Sequence, residues 1–153
     1  MSIRYFLYLF IASFLFASNG WADVAGQAKV LEVQGEAKFL RPGTSEWAAL
    51  EKNMILSEGD SVKTARESQV RLELSGGAKM GEVLVREESQ FKLATLRHDQ
   101  AKKTENTLLD VEIGNVLVKA EKLDGDSKFE VKTPTSIVGV RGTTFEVQVS
   151  KES

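Results

Sequence analysis

The densest set of chemically capable side chains lies near the end of the chain, in the segment TPTSIVGVRGTTFEV at residues 133–147. Its glycine backbone, its five hydroxyl side chains and Arg141 are the donor types of an anion-binding loop. In a structural role, the glycines and Pro134 form turns and the apolar residues close a core. Arg141 then ties the turns to a buried carboxylate, for which Asp60 is the predicted partner. The spacing of a phosphate-binding loop is missing and no helical pattern follows, so the sequence favours the structural role.

Catalytic and metal chemistry find little support elsewhere. The chain has one histidine, His98, and no cysteine, whereas a metal site needs three or four convergent ligands. We expect His98 to be a solvated surface residue. Glu87 and Glu88 are adjacent, and adjacent residues of a strand point to opposite faces. We therefore predict a non-enzymatic protein with no catalytic, cofactor-binding or metal-binding residues.

The elements that would position these residues read as strands. Apolar and polar residues alternate in VRLEL (70–74), FKLATL (91–96), LDVEIG (109–114), KFEVK (128–132) and FEVQV (145–149). Period-two alternation is typical of half-buried antiparallel strands. Turn signals rich in Gly, Pro, Asp and Ser separate these runs. The sequence predicts an all-β domain, either a short antiparallel, solenoid-like fold or a β-sandwich or barrel.

Two connections receive specific predictions. Asp124 and Gly125 lie between two alternating runs, which predicts a hairpin turn. The same DGDS stretch lacks the further oxygen ligands of a calcium loop. RHDQAKKTENT (97–107) is the longest highly charged segment, and we expect an exposed, mobile loop there.

The N-terminus carries a targeting pattern. Residues 1–22 contain one basic residue, an apolar run and small residues near Ala22, the order of a cleaved secretory signal. We expect a single domain over 23–153, periplasmic or secreted, with no stable membrane insertion after cleavage. The net charge of −2 is well mixed along the chain, so we expect no nucleic-acid partner.

Two motifs together resemble the bacterial FecR domain. A G-D-x-[IV]-x-T pattern occurs within LSEGDSVKTARESQVRLEL (56–74), and the closing T-P-x-x-x-x-x-x-R-G-T-x-F-x-V pattern occupies 133–147. GEAKFLRPGTSEWAAL (35–50) is similar to the opening strand pair of the family. The motif residues, to which we assign a structural role, are Gly59, Asp60, Thr64, Thr133, Pro134, Arg141, Gly142, Thr143 and Phe145.

The resemblance implies an all-β, solenoid-like periplasmic domain without catalysis. In the best-known members the domain belongs to an iron-siderophore signalling protein that controls a sigma factor through a cytoplasmic segment. The leader of this chain has no room for such a segment, and four residues follow Val149. We therefore expect a standalone exported FecR-domain protein without a second periplasmic module.

Two functions remain for such a domain. The first is a binding or scaffold module that docks another envelope protein, in envelope or iron-related signalling, with Glu146 and Gln148 on the docking edge. The alternative is a protein that binds peptidoglycan or a surface polysaccharide, which requires exposed aromatic rings. Few rings are available beyond Trp47 and Phe39, because Phe91, Phe129 and Phe145 occupy core-facing positions of the alternation.

Overall fold

The computed structural model describes residues 23–76 and 79–150. The predicted signal at 1–22 lies outside these residues. The described chain contains strands and turns and no helix, so within it no helix is long and apolar enough to cross a membrane. The all-β prediction is confirmed, and the strands are β1 (Val24–Ala25), β2 (Gln27–Gln34), β3 (Ala37–Leu40), β4 (Ala48–Ala49), β5 (Ile55–Ser57), β6 (Ser61–Thr64), β7 (Gln69–Ser75), β8 (Lys79–Val85), β9 (Gln90–Asp99), β10 (Thr104–Ala120), β11 (Lys128–Lys132), β12 (Ile137–Val140) and β13 (Thr144–Val149).

The strands form one curled, mainly antiparallel sheet, a half-barrel in which the long strand β10 belongs to both halves. The first part of β10 lies in sheet 1, with the order β4-β3-β6-β9-β10-β11-β12 and β1 also paired with β9. Its last part lies in sheet 2, with the order β5-β2-β7-β8-β10-β13. The two sheets enclose one core cluster, to which residues of both contribute, Phe91, Leu93 and Phe129 from sheet 1 and Val30, Leu72 and Val116 from sheet 2.

The bend in β10 has a local cause. Its pairing with β9 is interrupted by register shifts at Leu108/Leu109 and at Val111/Ile113, and such bulges bend a strand. Gly114 follows with φ of 100°, a conformation that favours glycine. A Cβ atom at this position would overlap Ser89, so Gly114 also permits the close approach of the β8–β9 connection.

The predicted hairpin at Asp124–Gly125 is wrong. The turn itself forms, with the Ser127 amide donating to the Asp124 carbonyl at 3.2 Å, but β10 and β11 pair in parallel, with Lys128 beside Asn106. A straight strand would separate Asn106 from Ala120 by about 46 Å, whereas residues 121–127 reach at most about 28 Å. The connection is a crossover between the sheets, made short by the curl of β10.

The predicted mobile loop at 97–107 is largely strand. β9 continues to Asp99 and β10 begins at Thr104, so only a tight turn remains, in which the Asp99 carboxylate accepts hydrogen bonds from the amides of Ala101 (2.9 Å) and Lys102 (3.0 Å). These bonds lower the pKa of Asp99 below its usual value. The segment is polar, but its two halves pair with each other as β9 and β10. This pairing outweighs the preference of polar residues for loops and cannot be seen in the composition.

The expectation of a solvated His98 is wrong for the same reason. His98 on β9 lies directly opposite Glu105 on β10, and its Nδ1 is 2.8 Å from the Glu105 carboxylate. Both side chains are largely buried, with 16% and 14% of their area exposed. The pair closes one end of the core beside Met80, to whose sulfur Thr107 donates a hydrogen bond.

Candidate functional site

The residues of the first family motif contact the β3–β4 turn and the ends of neighbouring strands in the described chain. Asp60 is 1% exposed, and its Oδ2 accepts hydrogen bonds from the Ser57 amide at 2.8 Å and from Arg41 Nη1 at 2.9 Å. Gly59, with φ of 92°, lies against Pro42, whose ring a Cβ atom would meet at 2.6 Å. This packing holds the Arg41–Pro42 turn over the Asp60 carboxylate.

Thr64 completes this motif on β6. Its buried hydroxyl donates to the Arg86 carbonyl at 2.6 Å and accepts from the Ser89 amide at 3.1 Å. Thr64 therefore fixes the turn between β8 and β9, where the chain passes from sheet 2 to sheet 1.

The predicted pairing of Arg141 with Asp60 is wrong. Arg141 is exposed, and Asp60 is bonded by Arg41 instead. Strand order explains the error, because β9, β10 and β11 separate β6, which follows Asp60, from β12, which precedes Arg141. Arg141 belongs to the closing motif, but this did not reveal that the sheet would place Arg41 beside the Asp60 carboxylate.

The closing motif begins with a turn and ends with a link between the sheets. Thr133 Oγ1 accepts from the Ser136 amide at 3.1 Å, and the Thr133 amide donates to the Ser136 carbonyl at 2.8 Å, with exposed Pro134 between them. Arg141, Gly142 and Thr143 are all exposed and carry the chain from β12 in sheet 1 to β13 in sheet 2. Gly142 has φ of 62°, so its turn role is as expected.

The strands on either side of this link have free edges. In the described chain β12 pairs only with β11, and β13 pairs only with β10. The Ala120 amide donates to the Thr143 carbonyl, and hydrogen-bonded pairs recur at every second residue of an antiparallel ladder. Phe145, Val147 and Val149 therefore direct their backbone groups at β10. Thr144, Glu146 and Gln148 direct theirs at the free edge.

The same strands leave apolar side chains incompletely covered. Phe145, Val147 and Val149 lie opposite Val118, Val116 and Gly114, face the core and are only half-buried. On β12, Val138 lies opposite the buried Val131 and so faces inward, yet it is 41% exposed.

The widths of the sheets explain this exposure. On one side of β10, each sheet continues through four strands, β9-β6-β3-β4 and β8-β7-β2-β5. On the other side, sheet 1 adds β11 and β12, whereas sheet 2 adds β13 alone. Within the described residues β12 thus overhangs sheet 2, and nothing lies beside β13 to cover Val138. We call this region the open side, formed by the free edges of β12 and β13 with Val138, Phe145, Val147 and Val149.

Sequence reasoning placed Ile137 and Val138 in the core, and this is wrong. Ile137 points to the outer face of β12 and is 62% exposed, and only Val140 of this strand is buried. The sequence gives no signal of this exposure, because consecutive apolar residues, as in SIVGV, are typical of a strand buried on both faces. Glu146 and Gln148 are exposed residues of the last described strand, and their docking role stays a prediction.

A cavity of about 450 Å³ lies at the bent end of the open side. Its apolar wall is formed by Ile113, Pro134 and Val149, and its polar wall includes Thr133, Ser136 and Gln148. Among residues 23–76 and 79–150 no group of three or more His, Cys, Asp or Glu side chains could hold a metal ion.

The aromatic rings of the described residues do not form a sugar-stacking surface. Of the five Phe and Trp rings in the described chain, Phe39, Phe91 and Phe129 are buried, and Trp47 and Phe145 are half-buried. Lys63 Nζ lies 4.1 Å from the centre of the Trp47 ring and covers one of its faces. The polysaccharide alternative therefore gains no support from these rings.

Comparison with protein families gives one match. The family model described as FecR protein matches residues 60–153, which includes Asp60, Thr64 and the whole closing motif. Gly59 and the opening strands precede the matched range, although β2 pairs with β7 inside it. No curated protein and no solved structure matches the chain. Because the match covers more than half of the sequence, the chain belongs to the FecR protein family.

Proposed function

We propose that this protein is a non-enzymatic docking module of the bacterial cell envelope, acting in the periplasm or after secretion, whose β13 edge accepts an extended strand of another envelope protein. FecR proteins are typically periplasmic or envelope-associated, and the family indicates a signalling-related module. The docking role itself rests on the structure of the open side.

The observation that carries the proposal is the unequal width of the two sheets. Sheet 2 ends at β13 while sheet 1 continues to β12, so a strand added to β13 would lie opposite β12. It would pair with the backbone groups of Thr144, Glu146 and Gln148 and cover the half-buried Phe145 and Val147. Strand addition satisfies a free edge and buries apolar area in one step.

Cross-linking in cells tests the proposal. A photo-reactive residue at Gln148 should form adducts with another envelope protein. The matched control position is Ile55 on β5, which is 39% exposed on the opposite edge strand of sheet 2, and it should form none.

A backbone variant shows whether the edge itself is used. The Glu146 amide faces away from β10, so Glu146→Pro removes an edge donor without removing a bond of the β10 ladder. Adducts at Gln148 should disappear in Glu146→Pro and persist in Glu146→Thr, while both variants keep the thermal unfolding transition. Equal adducts from both cross-linking positions, or adducts that survive Glu146→Pro, would contradict edge docking.

A further inference from the structure

The geometry of the open side also specifies the chemistry of the segment that would bind there. This inference rests on the proposed function. We infer that the partner segment runs antiparallel to β13, carries apolar residues at every second position, and has a basic residue opposite Glu146 and an acidic residue at its C-terminal end.

The alternation follows from register. In an antiparallel pair, the partner residues opposite Thr144, Glu146 and Gln148 exchange hydrogen bonds with them. The side chains of directly opposite residues lie on the same face of the sheet. Partner residues opposite Phe145 and Val147 therefore point inward, into the apolar region beneath Val138, and must themselves be apolar. The partner positions opposite Thr144, Glu146 and Gln148 face solvent and are polar.

The cavity at the bent end sets the first position. A partner strand antiparallel to β13 begins beside Val149, where the 450 Å³ cavity lies against Pro134 and Ile113. The cavity is larger than a valine side chain, so a large apolar or aromatic residue fits at the position opposite Val149. The Thr133–Ser136 turn closes this end and sets where the segment enters.

Charges set the remaining positions. On the outer face Glu146 is half-exposed and only loosely paired with Arg86, at 3.4 Å, so a basic residue opposite it is favoured and an acidic one is disfavoured. At the other end of β13, Arg141 and Lys122 are exposed. Their chain segments are adjacent, since a Cβ atom on Gly142 would lie 3.2 Å from Lys122 Cα. Neither cation belongs to an ion pair within the described residues. An acidic residue at the end of the segment would lie beside both.

Synthetic peptides test this specification on the full ¹⁵N-labelled chain. The probe is acetyl-Phe-Thr-Val-Lys-Val-Thr-Glu-amide. One control exchanges its Lys and Glu, and a second groups the apolar residues as Phe-Val-Val-Lys-Thr-Thr-Glu. The probe should slow amide hydrogen exchange at Thr144, Glu146 and Gln148, and both control peptides should bind at least about fivefold more weakly. Equal binding of the three peptides, or binding without protection of these amides, would overturn the inference.

Two adjacent residues of β12 supply a matched pair of variants. Val138→Ser should weaken the probe about fivefold, as expected for losing roughly 1 kcal/mol of apolar contact. Ile137→Ser, on the outer face of the same strand, should change binding less than twofold. Equal effects of the two substitutions would overturn the inference. It would also be overturned if concentrated protein without peptide formed dimers and protected the three edge amides, because the edge would then bind a second copy of this chain.

The outcomes separate the inference from the proposed function. If cross-links form at Gln148 in cells but the three peptides bind equally well, edge docking stands and the specified segment is refuted. If the probe binds more tightly than both control peptides but no cross-links form in cells, the cellular role is refuted and the specificity of the edge stands.

Discussion

Arg41 and Arg141 should differ sharply in their contribution to stability. Arg41 Nη1 bonds the Asp60 carboxylate at 2.9 Å, and this carboxylate is 1% exposed. Arg41→Ala leaves the buried charge with the Ser57 amide as its remaining hydrogen-bond donor among the described residues. Arg141 is exposed and bonds no carboxylate in the described chain, so Arg141→Ala is the matched control.

The magnitude follows from burial. Removing one partner of a fully buried ion pair costs about 3–5 kcal/mol. The Arg41 side chain is 46% exposed, so water can reach the carboxylate from that side, and we expect a loss of about 2–3 kcal/mol. For a chain of this size that lowers the unfolding midpoint by about 10 °C. Arg141→Ala should change the free energy of unfolding by less than about 0.5 kcal/mol.

Urea and thermal unfolding at pH 7, followed by circular dichroism, measure both variants. Asp60→Asn added to Arg41→Ala should recover part of the loss, because the amide oxygen still accepts from Ser57 and carries no charge. Equal destabilisation by Arg41→Ala and Arg141→Ala would refute the assignment of Arg41 as the structural arginine.

Two further predictions follow from the bend and from an ion pair. Gly114→Ala should lower the free energy of unfolding by at least about 3 kcal/mol or prevent folding, because a φ of 100° is strained for alanine and the new Cβ would overlap Ser89. Gly139 has open space around it, so the control Gly139→Ala should leave the thermal unfolding midpoint within about 2 °C. Arg97 lies 2.7 Å from Glu58 and lowers the pKa of this carboxyl, so its stabilisation is present above the ordinary carboxyl pKa of about 4.3 and is lost as pH falls through the lower folded value. Glu58→Gln should therefore lower the thermal unfolding midpoint at pH 7, by the equivalent of less than about 1 kcal/mol. It should also reduce the drop in this midpoint between pH 7 and pH 3. An unchanged drop would exclude the Arg97–Glu58 pair as a contributor to the acid sensitivity.

The polar pair at His98 and Glu105 illustrates how tertiary pairing overrides composition. RHDQAKKTENT has the charge and polarity of a solvated loop, and nothing local to it indicates that seven of its eleven residues are strand. β9 and β10 pair across a four-residue turn, and this pairing places both titratable side chains at the end of the core. Local sequence could not predict this outcome, because the residues that lie against this pair, Met80 on β8 and Gly76 just after β7, are distant in the sequence.

The residue pattern alone specifies the five alternating runs that lie in β7, β9, β10, β11 and β13, the family, and the alternation that exposes Glu146 and Gln148 on β13. These properties are encoded locally, since period-two patterning and short motifs depend on neighbours within a few residues. The tertiary structure alone decided the parallel pairing of β10 with β11, the choice of Arg41 over Arg141 and the uncovered side at Val138. Each of these depends on which distant strands become neighbours, and a pattern that spans only a few residues does not specify that.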